Sequence, residues 1–186
     1  MFNALLFLLL ILTGLSLQYS SVDYPLIPFN YAVSMHNIAG IALTVCFVFF
    51  LFANRFTSNG HYYQFKLSGL IKRVLKQFRY YTIGIFKKEK PPYPVTKKRK
   101  FNPMQKLSYV VVMYIFMPII ILTGIMLFFP DILPSKILGI GGIHLTDLLH
   151  ILSGFILSIF MVIHIYFCTI GKTPFSNFKS MITGWH

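Results

Sequence analysis

Residues 143–170 read IHLTDLLHILSGFILSIFMVIHIYFCTI, an apolar run whose only formal charge is Asp147. A helix rises about 1.5 Å per residue, so about 20 such residues cross the hydrocarbon core of a bilayer. Three more runs stand out: Phe2 to Leu17, Tyr31 to Phe52 and Leu107 to Phe129. The first is short and begins beside Met1. It has no Lys or Arg ahead of it and no small-residue cleavage signal before Tyr24, so it reads as a retained helix rather than a signal peptide. The expected fold class is an all-α membrane protein, a four-transmembrane-helix bundle. A single membrane domain covers residues 1–186, with spans at about 2–19, 31–53, 107–129 and 143–170.

Composition agrees. Of the 186 residues, 56% are hydrophobic and 11% charged, with mean hydropathy +0.69. A soluble domain carries about 25% charged residues, which excludes a water-soluble globule. The wealth of Phe, Ile, Leu and Tyr excludes disorder. The four acidic residues, Asp23, Glu89, Asp131 and Asp147, are scattered, so paired-carboxylate hydrolysis is excluded too. Cys46 and Cys168 lie inside apolar runs and read as small core residues, not as a disulfide or metal site.

The net charge is +13, and every Lys and Arg except Lys136, Lys172 and Lys179 falls between Arg55 and Lys106. A basic segment flanked by apolar spans is an orientation signal, not a nucleic-acid patch. It places loop 54–106 in the cytoplasm, both termini with it, and loops 18–30 and 130–142 outside. Within it, Tyr62 to Tyr81 mixes Phe65, Leu67, Leu70, Ile71, Val74 and Leu75 with five cations. That pattern predicts a basic amphipathic helix on the anionic inner leaflet. Pro91, Pro92 and Pro94 break any helix beyond it, and Lys97 to Lys100 are solvated or touch lipid phosphate.

An internal repeat organises the spans. Ile11-Leu12-Thr13-Gly14 recurs as Ile121-Leu122-Thr123-Gly124, and His36-Asn37-Ile38-Ala39-Gly40 is echoed by His150-Ile151-Leu152-Ser153-Gly154. The chain reads as two similar helical hairpins related by an axis along the bilayer normal, which sets His36 and His150 face to face. A histidine in lipid is satisfied or functional. Two imidazoles meeting across a bundle suit the two axial sides of one haem iron. Gly40 and Gly154, one turn beyond each histidine, would let a flat macrocycle approach the helix. The alternative is a pair of interhelical polar contacts with glycines for close packing. His164 follows His150 by fourteen residues, about 21 Å along the helix and about 40° short of four turns, a spacing that suits a second, stacked haem. His61, His144 and His186 are not expected to be ligands.

These residues resemble the di-haem cytochrome b subunits of bacterial respiratory complexes, the cytochrome b561-like membrane domain found in thiosulfate reductase, formate dehydrogenase gamma and nickel-iron hydrogenase b subunits. The resemblance covers essentially the whole chain. It is carried by Phe101-Asn102-Pro103-Met104-Gln105-Lys106, by the spacing of His36, His150 and His164, and by the ending from His164-Ile165-Tyr166 through Thr173-Pro174-Phe175 to Ile182-Thr183-Gly184-Trp185. It implies that His36 and His150 hold an outer haem b and that His164 is one ligand of an inner haem. Its partner imidazole would fall just before Met1. It further implies that Asn102 and the Met104 backbone hold the head of menaquinone or ubiquinone, although the family often has Gly where Met104 stands. Read without it, Asn102 is equally a cap for the third span. Lys106 reads as a lipid-phosphate anchor.

The expected function is electron transfer between the quinone pool and a partner redox subunit through one or two haems b, in the bacterial cytoplasmic membrane. The expected partners are lipid, quinone and an extracytoplasmic iron-sulfur or multihaem cytochrome subunit, with no nucleic acid. Substrate conversion would belong to another subunit. A haem-free membrane anchor is the alternative. A transporter with histidine proton relays fits poorly, because the spans hold few polar residues.

Overall fold

The computed structural model describes residues 2–21, 24, 26–64, 66–94, 96, 99–137, 139–170, 175 and 178–179. Asp23, Phe65, Lys97, Lys98, Lys172, Thr173-Pro174, the Ile182 to Trp185 ending and His186 lie outside them. Four helices are long and apolar enough to cross a membrane: Phe2–Tyr19 (α1), Phe29–Phe56 (α2), Pro103–Phe128 and Gly142–Thr169. Between the second and third lies Leu70–Arg79 (α3). The third span is built of Pro103–Val111 (α4), a π turn at Val112–Phe116 and Met117–Phe128 (α5), and Gly142–Thr169 is α6. A short antiparallel pair, Lys136–Ile137 with Ile140–Gly141, joins α5 to α6.

Two boundaries differ from expectation for local reasons. The third span begins at Pro103 rather than Leu107, because Asn102 caps it. The Asn102 side chain accepts the Gln105 N–H at 2.9 Å, the Gln105 side chain accepts the Asn102 N–H at 3.2 Å, and proline occupies the first helical position. The amphipathic helix expected from Tyr62 begins at Leu70. Residues Ser58–Tyr63 form a 3-10 helix, and Gly69 stands at φ +67, a left-handed conformation that closes off any helix running in from Tyr62. Arg73 satisfies the freed carbonyls of Ser68, at 2.7 Å, and Lys66. The π turn has a cause in Pro118, whose ring would press on the Tyr114 carbonyl of a regular helix. The helix widens there, and the Met117 N–H reaches back to Val112.

The chain falls into two compact units, Met1–Val48 with Pro118–His186, and Phe49–Met117. In the first, the buried residues are mostly small or hydroxylated: Thr13, Ser16, Ala32, Ala39, Thr123 and Ser153, with Leu43, Leu157 and Met161 beside them. Such residues let apolar helices approach closely where lipid supplies no hydrophobic drive. Their hydroxyls are occupied locally. Ser16 accepts the Ile27 N–H at 2.9 Å, and Thr146 donates to the Gly142 carbonyl at 2.9 Å. Leu12, Ile38, Leu122 and Leu152 turn outward, as lipid-facing residues do. The second unit gathers an aromatic cluster in which Tyr63 meets Phe50, Phe101 and Tyr114 edge-on.

Candidate functional site

In the first unit α2 and α6 bring His36 and His150 together. Their ring centroids are 6.2 Å apart and their planes are inclined by 69°. Each imidazole is fixed from behind by a threonine of the preceding helix. Thr13 Oγ1 lies 2.9 Å from His36 Nδ1, and Thr123 Oγ1 lies 3.0 Å from His150 Nδ1. Each threonine has one hydroxyl proton, and each spends it on its own helix: Thr13 donates to the Leu9 carbonyl at 2.7 Å, Thr123 to the Ile119 carbonyl at 2.7 Å. The threonine oxygen must then accept, so each Nδ1 carries the proton. His150 also reaches the Ile120 carbonyl, which only a donor can do. That tautomer leaves both Nε2 lone pairs available to a metal, the arrangement in which a second hydrogen bond orients a ligating histidine.

The glycines of the repeat complete the setting. A Cβ on Gly14 would stand 3.5 Å from His36 Cε1, and one on Gly124 would stand 3.2 Å from His150 Cε1. Thr-Gly is thus a unit, in which the hydroxyl holds the ring and the bare glycine lets its edge lie against the helix. These four residues carry no functional role in the sequence reading, although the repeated Ile-Leu-Thr-Gly was their signal. Gly40 and Gly154 behave differently. A Cβ on Gly40 would meet no atom within 4 Å, and one on Gly154 only Ile120 Cδ1 at 3.7 Å. Close helix packing therefore does not demand glycine at Gly40.

A metal bonded by two opposed imidazoles holds their centroids about 6 Å apart, from two bonds of about 2 Å and the ring half-widths. The His36–His150 separation fits that. Among the described residues no group of three or more His, Cys, Asp or Glu gathers to hold a bare ion. A porphyrin supplies the further donors that a metal held by two imidazoles would need.

The remaining expected residues are placed as follows. His164 is half-buried on α6, stacked on Phe160 with centroids 5.6 Å apart, and its Nε2 lies 3.8 Å from Cys168 Sγ. Asn102 and Met104 belong to the other unit. Asn102 is buried, and besides capping α4 its Nδ2 donates to the Tyr81 hydroxyl at 2.8 Å. One amide proton remains beyond that bond. Met104 is half-buried in the first turn of α4, where backbone N–H groups have no acceptor within the helix. His61 bonds the Ser58 carbonyl in its own 3-10 helix, and His144 is exposed at the start of α6.

Four membrane-length helices, with two back-bonded imidazoles 6.2 Å apart on α2 and α6, suit a haem-binding membrane protein. The chain belongs to the prokaryotic cytochrome b561 family, whose family model matches residues 1–184. It is 36% identical over 184 residues to "Putative cytochrome YdhU" of Escherichia coli (strain K12), covering 99% of this chain and 69% of that protein. No solved structure matches it. The family binds b-type haem, and this chain is a multi-pass cytochrome of the bacterial inner membrane that serves electron transport.

Proposed function

We propose that His36 and His150 would together hold the iron of one haem b, and that the chain carries electrons between membrane quinone and a partner redox subunit. The observation that carries this reading is the doubled Thr-His bond, which leaves both Nε2 atoms without a proton on two rings whose centroids are 6.2 Å apart. The haem, when bound, supplies one-electron redox chemistry. The chain's own part is to hold the tautomer, fix the ring planes and exclude water. The haem-free anchor fares worse, because interhelical glue needs neither two unprotonated Nε2 atoms nor a glycine at Gly40.

His164 is proposed as a ligand of a second haem b. Asn102, with Met104 beside it, is proposed to receive the quinone head, its remaining amide proton donating to a quinone carbonyl. An extracytoplasmic iron-sulfur or multihaem cytochrome subunit would be the redox partner. The test is haem content by pyridine haemochrome together with a reduced-minus-oxidised spectrum. His36→Ala and His150→Ala are each expected to lose one haem equivalent per chain. Full haem content in either variant would overturn the pairing.

A further inference from the structure

Helix α3 has three faces. Gln77, 2% exposed, turns inward with Leu70 and Val74 at its sides. Ile71, Leu75 and Phe78 recur at the i, i+4, i+7 spacing on a second face and are 76%, 59% and 52% exposed. Lys72, Lys76 and Arg79 repeat that spacing one residue later. They form an exposed cationic strip about 100° further round the helix. A helix whose large apolar residues stay outside the protein, edged by cations, has an unfilled contact of defined chemistry.

The depth of this surface is set by a hydrogen bond. The π turn Tyr80–Gly84 continues directly from α3, and its Tyr81 accepts from Asn102, the residue that caps the third span. The strip is thereby tied to the level at which a spanning helix begins. The charge there is one-sided, since Glu89 is the sole acid between Arg55 and Lys106. The surface must meet something apolar and anionic side by side at the membrane boundary, which is what a leaflet of anionic phospholipid offers.

We propose that α3 is an in-plane anchor for anionic phospholipid. Ile71, Leu75 and Phe78 enter the acyl boundary, and Lys72, Lys76 and Arg79 lie among the headgroup phosphates. This narrows the membrane contact expected of Tyr62 to Tyr81 to one helix and one ordered strip. It stands independently of the electron-transfer reading.

The test uses the full chain in nanodiscs of phosphatidylglycerol or of phosphatidylcholine. Trp185 is the only tryptophan, so Phe78→Trp with Trp185→Phe reports on the strip. In phosphatidylglycerol the indole is expected to be quenched by brominated acyl chains and shielded from aqueous acrylamide, and in phosphatidylcholine the shielding falls. Lys72→Gln, Lys76→Gln and Arg79→Gln together bring it to the phosphatidylcholine level, each lowering the docked fraction ratio roughly fivefold. Hydrogen exchange of amides 70–79 in the unsubstituted chain gives a second readout, slower in phosphatidylglycerol. Equal shielding and equal exchange in the two lipids would overturn the proposal, as would shielding that arises only when a protein partner is added.

Discussion

Thr13 and His36 are joined by a bond whose direction is settled by a third group: the threonine proton goes to the Leu9 carbonyl at 2.7 Å, so the imidazole donates across the 2.9 Å contact. Thr123 repeats this toward His150. The two bonds therefore set the tautomer of each ring as well as its position.

Thr13→Val and Thr123→Val keep the branched shape and remove the acceptor. A buried N–H left without a partner costs about 1–3 kcal/mol, and loss of an outer-shell partner weakens metal binding by about tenfold to a hundredfold. Each variant is expected to bind haem more weakly, Thr123→Val less so because the Ile120 carbonyl still receives the His150 proton. Its midpoint potential should rise, because the imidazole becomes a poorer donor to ferric iron. Redox titration and haem retention check both, and unchanged potentials would reject the orienting role.

The two glycines should not respond alike. A methyl group at Gly124 meets His150 Cε1 at 3.2 Å, closer than ordinary contact, whereas at Gly14 it meets His36 Cε1 at 3.5 Å. Gly124→Ala is expected to displace its ring and alter the low-spin ferric resonance spectrum. Gly14→Ala should be close to the unsubstituted protein. Equal spectra for both variants would contradict the asymmetry.

Asn102 has a structural and a proposed functional duty, and two substitutions separate them. Asn102→Ala loses the cap, costing about 1 kcal/mol, together with the amide donor. Asn102→Asp keeps an acceptor for Gln105 and loses only the donor. Quinol-driven haem reduction is expected to slow in both, while only Asn102→Ala loses the Gln105 cap; stability falls in each, because both lose the Nδ2 bond to Tyr81 and the aspartate is buried. Normal kinetics in Asn102→Asp would remove the quinone role and leave the cap.

Stability should also fall at alkaline pH. Burial pushes the Tyr81 phenol above its ordinary value, against a smaller opposing pull from the Asn102 and Gln77 amides. Burial, and then the neighbouring Tyr114, raise Tyr63 likewise. The native state keeps these protons where the unfolded chain sheds them. The stabilisation is complete below the ordinary phenol value of about 10 and declines as pH rises from there through the raised native values. Melting temperatures measured from pH 8 to 11 should show that fall. Tyr63→Phe and Tyr81→Phe should flatten it, although Tyr81→Phe also lowers the plateau by stranding the Asn102 amide.

Much of this was legible in the sequence, and the remainder is instructive. Apolar run length gave the four spans, because the bilayer imposes it. The repeat predicted that His36 and His150 would meet, as they do. The role of Thr13 and Thr123 was not legible, because spacing alone cannot tell whether a mid-helix hydroxyl faces lipid or a ring on the next helix. The start of α3 was misplaced because an apolar-cationic pattern runs on through Ser68-Gly69, where the backbone cannot. Pro118 passed unnoticed within an otherwise unbroken run, and with it the π turn at Val112–Phe116.

The His36 and His150 ends match in motif but not in detail. Each ring is backed by the same hydroxyl-to-carbonyl relay, but His150 also bonds the Ile120 carbonyl and lies closer to its glycine, so an iron held by the pair would draw unequal donation from the two imidazoles. That inequality would tune the potential of one centre and give it no direction, because a single one-electron centre passes electrons either way. Whichever way current flows through the protein, the bias must come from what is coupled to either side of it.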